Sequence, residues 1–308
     1  MIEIKQMLKD AAGKDWKAAI AFYRNEKDFA ETINKIKDDE TRKPNGKAAS
    51  SIARRFNSEY DPGKYGKKWY CCDGYDDAAD MLENGYNCDL KPIKAAYNLS
   101  SASDPAVKHT LNFAGSIPSI SDYLAGRPRD MRRIETTSKK VVNVFVDVSI
   151  SSREKKNNIF EATKQIAAYI GGIEKAGYSV NLYVCHMSTT EKDKNNITCS
   201  IVKLKDAANK TNLARYMFPL VHPAFSRVFF HLETSFNPVF SDSFIDYRIG
   251  YPIAHSYFAY SALKAILPDN SVVLSTQAII NGQSIQYQIE QMKAATPWKR
   301  TSGARIPA

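Results

Sequence analysis

Residues 141–152, VVNVFVDVSISS, decide the fold, because a buried strand here runs directly into a group of oxygen-bearing side chains. Six of the first eight residues are β-branched or aromatic, a pattern typical of a strand covered on both faces of a parallel sheet. Asp147, Ser149 and Ser151 then alternate at its carboxyl end, where open α/β sheets bind their ligands. A carboxylate flanked by two hydroxyls predicts half of the ligand shell of a hard cation such as Mg²⁺.

The residues after this segment alternate between strand and helix patterns. We predict strands at 179–186, 197–204, 227–232 and 271–277, and helices at 158–175, 213–220, 257–266 and 285–293. Connections of this length predict an α/β fold with a mostly parallel central sheet and flanking helices, in which 197–204 is an edge hairpin strand.

The first half of the chain lacks continuous apolar strands. Residues 1–40 follow helical spacing, and residues 111–133 are rich in glycine and proline. We therefore predict an N-terminal helical and loop-rich region at 1–140, a core domain at 141–295 and a basic tail at 296–308. Alone, the first region would have a thin core, so we expect it to pack on the sheet and bury Phe113, Ile117 and Leu124.

The composition is that of a globular protein. The 308 residues are 44% hydrophobic and 25% charged, and no apolar run approaches the roughly 20 residues of a membrane helix. The first residues contain no apolar signal segment. Five cysteines without a shared spacing predict free thiols in a reducing cytoplasm.

The net charge of +10 has two interpretations. It is typical of proteins that bind nucleic acid, and it also serves solubility alone. The densest basic segment contributes four candidate phosphate-binding residues: Arg127, Arg129, Arg132 and Arg133.

Asp147, Ser149 and Ser151 resemble the DxSxS motif of von Willebrand factor A domains, the metal-ion-dependent adhesion site. In that family a hydrophobic strand leads into the motif, a helix follows, and a threonine comes later in a TNL-like context, which here is Thr211-Asn212-Leu213. The family's third element is an aspartate after the next core strand. This chain has Glu233 there, with Asp242 and Asp246 as weaker substitutes.

The resemblance implies a von Willebrand factor A-like, Rossmann-like domain over 141–295. It also implies an Mg²⁺ or Mn²⁺ site that captures an acidic residue of a protein partner, formed by Asp147, Ser149, Ser151, Thr211 and Glu233. A second interpretation needs no metal, because aspartate and serine also form polar turns that cap a following helix.

Two segments of the first half, DGYDDAADMLENGY (73–86) and GSIPSISDYLAGRPRDMRR (115–133), are similar to uncharacterised tailed-phage proteins that carry this A-type domain. The similarity implies a viral origin and no particular activity. We therefore expect the protein in the host cytoplasm, with the virion as the alternative.

The sequence favours binding over catalysis. It contains no Walker loop, no GxGxxG motif opening a helix and no GxSxG elbow. His186 and His231 each end a predicted strand near Asp147, where they would bind a transition metal or transfer protons, or simply form hydrogen bonds to a loop. We predict a binding protein, with a nucleic-acid-associated protein or a virion component as alternatives.

Overall fold

The computed structural model describes most of the chain. The described residues are 1–39, 70–86, 88–100, 108–112, 117–118, 124, 131–135, 140–151, 153–190, 196–240, 257–297, 299–302 and 306.

A seven-stranded sheet forms the centre of the molecule. Its strands, in chain order, are β1 (Ile2–Lys9), β2 (Asp15–Tyr23), β6 (Val141–Asp147), β7 (Ser179–Thr190), β8 (Asn196–Lys205), β9 (Ser271–Ser275) and β10 (Lys299–Ser302). Their spatial order is β10-β1-β2-β8-β7-β6-β9. A separate three-stranded sheet has the order β3-β5-β4 and consists of β3 (Lys108–Asn112), β4 (Ile117–Pro118) and β5 (Met131–Glu135).

The large sheet is mixed in direction. β6 lies parallel to both β7 and β9, and β2 lies parallel to β8. The β7–β8, β1–β2 and β1–β10 pairs are antiparallel. The predicted α/β class and the parallel β7-β6-β9 core are therefore confirmed, whereas the sheet as a whole is not mostly parallel.

Helices cover both faces of this sheet. In the described residues they are α1 (Glu26–Asp38), α2 (Tyr75–Glu83), α3 (Lys91–Ser100), α4 (Lys156–Lys175), α5 (Leu213–Val221), α6 (His231–Phe236), α7 (Tyr257–Ile266), α8 (Thr276–Ile280) and α9 (Ile285–Ala294). Val144 and Val146 share one core with residues of α1, α4, α5 and α6. Phe145 points to the opposite core, with residues of α7 and α9, because side chains alternate along a strand.

The first 23 residues correct the prediction of an N-terminal helix. They form the hairpin β1–β2, which belongs to the central sheet, and only α1 follows as a helix. The alanines of β2 have high helix propensity, yet this strand lies between β1 and β8 and is buried from residue 18 to residue 23. Tertiary burial therefore overrides local propensity here.

The predicted core strand at 227–232 is wrong. The chain forms a π-helical segment, Phe225–Phe230, which continues into α6. Its rings pack against Phe29 of α1, and the centroids of Phe29 and Phe230 lie 5.2 Å apart. A short, continuous apolar run is typical of a buried strand and of a buried helix alike, so the pattern alone could not separate them.

Predicted strand positions and predicted burial also differ from the structure. β8, predicted at the edge, lies between β7 and β2, and part of the predicted basic tail is the edge strand β10, which pairs with β1. Leu124 is 77% exposed instead of buried, while Phe113 lies outside the described residues and the side chain of Ile117 is not described.

Candidate functional site

The DxSxS segment lies at the carboxyl edge of β6, as predicted. Asp147 is the last residue of β6 and pairs with Cys185 of β7 and Ser275 of β9. The turn that contains Ser149 and Ser151 follows, and α4 begins at Lys156. The structure therefore places three of the five predicted ligands in the segment that leads from the central strand β6 to α4.

Asp147 is deeply buried, with 1% of its surface exposed. Its Oδ1 accepts a hydrogen bond from the backbone N–H of Ser149 at 2.9 Å. Its Oδ2 is buried and has no hydrogen-bond partner among the described residues. Burial raises the pKa of this carboxyl to about 7, because removing the charged form from water costs free energy that the hydrogen bonds of Ser149 only partly offset.

The two serines hold the turn in place. Ser149 Oγ accepts from the backbone N–H of Met187 at 2.9 Å and donates to the Met187 carbonyl at 3.1 Å, which joins the turn to β7. The backbone N–H of Ser151 donates to Gln277 Oε1 at 2.7 Å, which joins the turn to α8. None of these side chains caps α4, whose N-cap residue is Lys155 without a side-chain cap bond.

Thr211 does not reach this edge. Its Oγ1 donates to Glu174 Oε1 at 2.7 Å, near the carboxyl end of α4. The same carboxylate lies 3.2 Å from Lys205 Nζ, which also donates to the Val180 carbonyl near the start of β7. α4 has 20 residues and is about 30 Å long. Thr211, near its carboxyl end, therefore lies at the amino ends of the parallel strands, whereas Asp147 lies at their carboxyl ends.

Glu233 lies on the other face of the sheet. It belongs to α6, is completely buried, and accepts a hydrogen bond at Oε1 from the Tyr23 hydroxyl at 2.6 Å. Tyr23 belongs to the core that Val144 and Val146 enter, whereas Asp147 follows Phe145 in the alternation and points to the opposite core. The five predicted ligands therefore do not converge, and the described residues contain no group of three or more His, Cys, Asp or Glu that could hold a metal.

The two histidines also lie in the core of Glu233. The His186 ring stacks on Phe230 at 5.4 Å, and its centroid lies 5.7 Å from that of His231. Burial lowers the pKa of His186 to about 4, so its imidazole is neutral near pH 7. His231 begins α6 instead of ending a strand.

The predicted arginines are only partly described. Arg127 and Arg129 lie outside the described residues. Arg132 and Arg133 are adjacent on β5, where they pair with Leu111 and Thr110 of β3.

A groove of about 830 Å³ that the sequence did not predict lies between α1 and α2. It is lined by α1, by residues of α2 and the segment after it, and by Arg215 and Phe229. These segments are far apart in the chain, so the sequence could not predict that they meet. The one sequence signal for the groove is the acidic, amphipathic pattern of α2.

The fold and the site define an α/β protein with a buried polar turn at the edge of its sheet. Within the described residues, no helix is long and apolar enough to cross a membrane. The chain belongs to the DUF7192 family, a domain of unknown function that matches residues 9–300. No curated protein and no solved structure matches it.

Proposed function

We propose that this protein is a binding protein with a von Willebrand factor A-like core, which captures a protein partner at the sheet edge formed by Asp147, Ser149 and Ser151. The observation that supports this proposal is the geometry of one turn. A buried strand delivers a carboxylate and two hydroxyls to the carboxyl edge, and the carboxylate keeps one oxygen without a hydrogen-bond partner among the described residues.

The donor set partly fits the Mg²⁺ or Mn²⁺ ion that the resemblance implies. Asp147, Ser149 and Ser151 would hold the ion through oxygen, the ligand that hard cations prefer. The positions of Thr211 and Glu233 exclude them from this shell. The ion would supply an electrophilic position for an acidic side chain of the partner, and with few protein ligands we expect its affinity to be weak.

Burial of the titratable groups favours binding over catalysis. A general acid or base must lie within hydrogen-bond reach of its substrate. Outside the Asp147 turn, Glu233, His186, His222 and His231 are all buried. None of these four groups faces solvent in this structure, so none is placed to act as a general acid or base.

The resemblance of residues 73–86 and 115–133 to tailed-phage proteins motivates the further proposal that the protein is phage-encoded and acts in the host cytoplasm. A place in the virion is the alternative. A pull-down from infected cells, compared with a composition analysis of purified particles, distinguishes the two.

Calorimetry with Mg²⁺ and Mn²⁺ tests the metal site. We expect the wild-type protein to bind with a dissociation constant on the order of 1 mM, at the weak end of protein cation sites. Asp147→Ala should abolish the heat of binding because it removes the charged ligand, whereas Ser151→Ala should weaken binding less, since water replaces a neutral ligand.

Asp206→Ala is the matched control. It removes an exposed carboxylate that pairs with Lys203 just after β8 and should leave metal binding unchanged. If folded wild-type protein shows no heat at millimolar metal, Asp147 is a turn-forming residue and the metal part of the proposal is wrong.

Nucleic-acid binding is a second candidate, favoured by basic residues on the neighbouring strands β1, β2 and β10. Lys5, Lys17, Lys299 and Arg300 are all exposed. In the sheet, Met7 pairs with Lys17 and Lys9 with Lys299, so lysines of β1, β2 and β10 lie on neighbouring strands. A row of lysines of this kind would contact phosphates without reading bases.

A gel shift with a random DNA duplex tests this surface. If it binds DNA, affinity should fall steeply between about 50 and 200 mM salt. Reversing the charge of Lys17 and Lys299 together should reduce the salt slope by about two units. Lys94→Glu, on the exposed surface of α3, is the control; salt-independent binding or equal loss in the control contradicts this candidate.

A further inference from the structure

Side-chain contacts bridge both ends of the groove between α1 and α2. At one end, the Tyr75 hydroxyl donates to Asn34 Oδ1 at 2.5 Å, and Lys37 Nζ lies 2.8 Å from Asp76 Oδ1. At the other end, Arg215 Nε donates to Glu26 Oε2 at 2.9 Å. The two helices are therefore held together by side chains and leave a channel between them.

The floor of this channel is apolar. Ile33 and Phe229 are buried beneath it, and Ala79, Leu82 and Leu90 are partly exposed along it. Ile33 and Phe229 belong to the main core of the α1 face, against which Leu82 and Leu90 pack. The floor thus packs on the core and exposes apolar side chains, whose removal from water by a ligand would be favourable.

The walls of the channel are acidic in a basic protein. The channel is lined by the carboxylates of Glu26, Glu31 and Glu83 and by two cations, of which Arg215 pairs with Glu26 and Lys27 with Glu31. The whole helices α1 and α2 carry eight carboxylates and three lysines, and α2 has no basic residue. The whole chain has a net charge of +10. Glu31 and Glu83, which line the channel, are exposed. This local reversal of charge around an apolar floor is complementary to a cationic, amphipathic ligand.

We propose that this groove docks a basic amphipathic helix of a partner protein. The apolar residues of that helix would cover the Ala79–Leu82 floor, and its lysines or arginines would face Glu31 and Glu83. This is the helix-in-groove mode of recognition, in which apolar positions anchor the helix and flanking charges select it. The site is separate from the Asp147 edge and goes beyond the function proposed for that edge.

Fluorescence anisotropy with a designed probe tests the proposal on the full-length protein. The probe is a labelled amphipathic peptide of about 14 residues, four helical turns, built from leucine and lysine. A second peptide carries glutamate in place of every lysine. We expect the lysine peptide to bind in the micromolar range and the glutamate peptide at least about tenfold more weakly.

Four substitutions locate the binding. Ala79→Arg places a bulky cation on the floor and should weaken binding at least about tenfold, and Glu83→Lys should weaken it about fivefold. Asp80→Lys makes the same charge change on the same helix, at a residue that does not line the groove, and should change affinity less than about twofold. Asp147→Ala should leave peptide binding unchanged, which separates this site from the metal site.

Ala79 is partly exposed, so its replacement should leave the fold intact, and thermal unfolding of each variant checks this. Glu83→Gln is a milder second variant that should weaken binding about twofold. The proposal is overturned if both peptides bind alike, if the lysine peptide does not bind, or if Asp80→Lys and Glu83→Lys have equal effects.

Discussion

Replacing Glu233 with glutamine should make the free energy of unfolding less dependent on pH. We expect the difference between the variant and the wild type to shift in favour of the variant by about 2–3 kcal/mol between pH 5 and pH 8. Burial raises the pKa of the Glu233 carboxyl to about 7, although Ser200, Tyr23 and Asn237 offer hydrogen bonds to it. In the unfolded chain the same group has an ordinary pKa of about 4.5.

The sign of this pH dependence follows from the number of protons that the folded and unfolded states bind. Between pH 4.5 and pH 7 the folded state holds a proton on Glu233 that the unfolded state has released, so wild-type stability falls as the pH rises through this window. At pH 8, about one unit above the folded-state pKa, the loss is nearly complete, because Glu233 is then ionised in both states. Glutamine carries no charge at any pH, so the variant lacks this loss, and its amide oxygen can still accept from the Tyr23 hydroxyl.

Urea unfolding of both proteins at several pH values measures this difference. His186 and His222, whose pKa values burial lowers to about 4, change stability in the opposite direction, but they contribute equally to both proteins and cancel in the comparison. Glu290→Gln, at an exposed position of α9, is the control and should give no pH-dependent difference. A constant difference between Glu233→Gln and wild type across this range would mean that Glu233 titrates normally.

Replacing Gly171 with alanine should destabilise the protein by about 1–3 kcal/mol, the usual cost of overpacking. Gly171 lies in α4 where α3 crosses it, and a Cβ atom there would lie 2.3 Å from the carbonyl oxygen of Tyr97. Because that oxygen belongs to the backbone, the two helices would have to move apart. The Tyr97 hydroxyl also donates to Glu174 on α4, so separation would strain this bond as well.

Helix propensity alone predicts the opposite sign, because alanine is favoured over glycine inside a helix by about 1 kcal/mol. Gly172→Ala, at the partly exposed neighbouring position, is therefore an informative control. Thermal and urea unfolding should show Gly171→Ala below Gly172→Ala in stability. A Gly171→Ala variant as stable as the control would show that α3 does not press on α4 in solution.

The local pattern of apolar residues determined a large part of the secondary structure in the second half of the chain. The apolar run of β6, the helical spacing of α4 and the strand patterns of β7 and β9 each reflect burial that repeats along one element, so the sequence predicts them directly. The turn from Asp147 to Ser151 was predictable for the same reason, since it follows a strand that could only be central.

The rest was decided by tertiary structure. Residues 225–236 are helical where their rings pack against Phe29, which comes from the distant helix α1. The alanine-rich β2 is a strand because β1 and β8 pair with it.

Tertiary structure also decided which of the predicted ligands lie close together. Asp147, Thr211 and Glu233 have a plausible order in the chain, but order does not specify which edge or face of a sheet a residue reaches. Thr211 lies beside the carboxyl end of the 20-residue helix α4, far from Asp147. Side-chain alternation along β6 points Asp147 away from the face that α6 covers, and α6 carries Glu233. The sequence by itself therefore determined the strand and its polar turn, while packing between distant segments separated the predicted ligands and created the acidic groove.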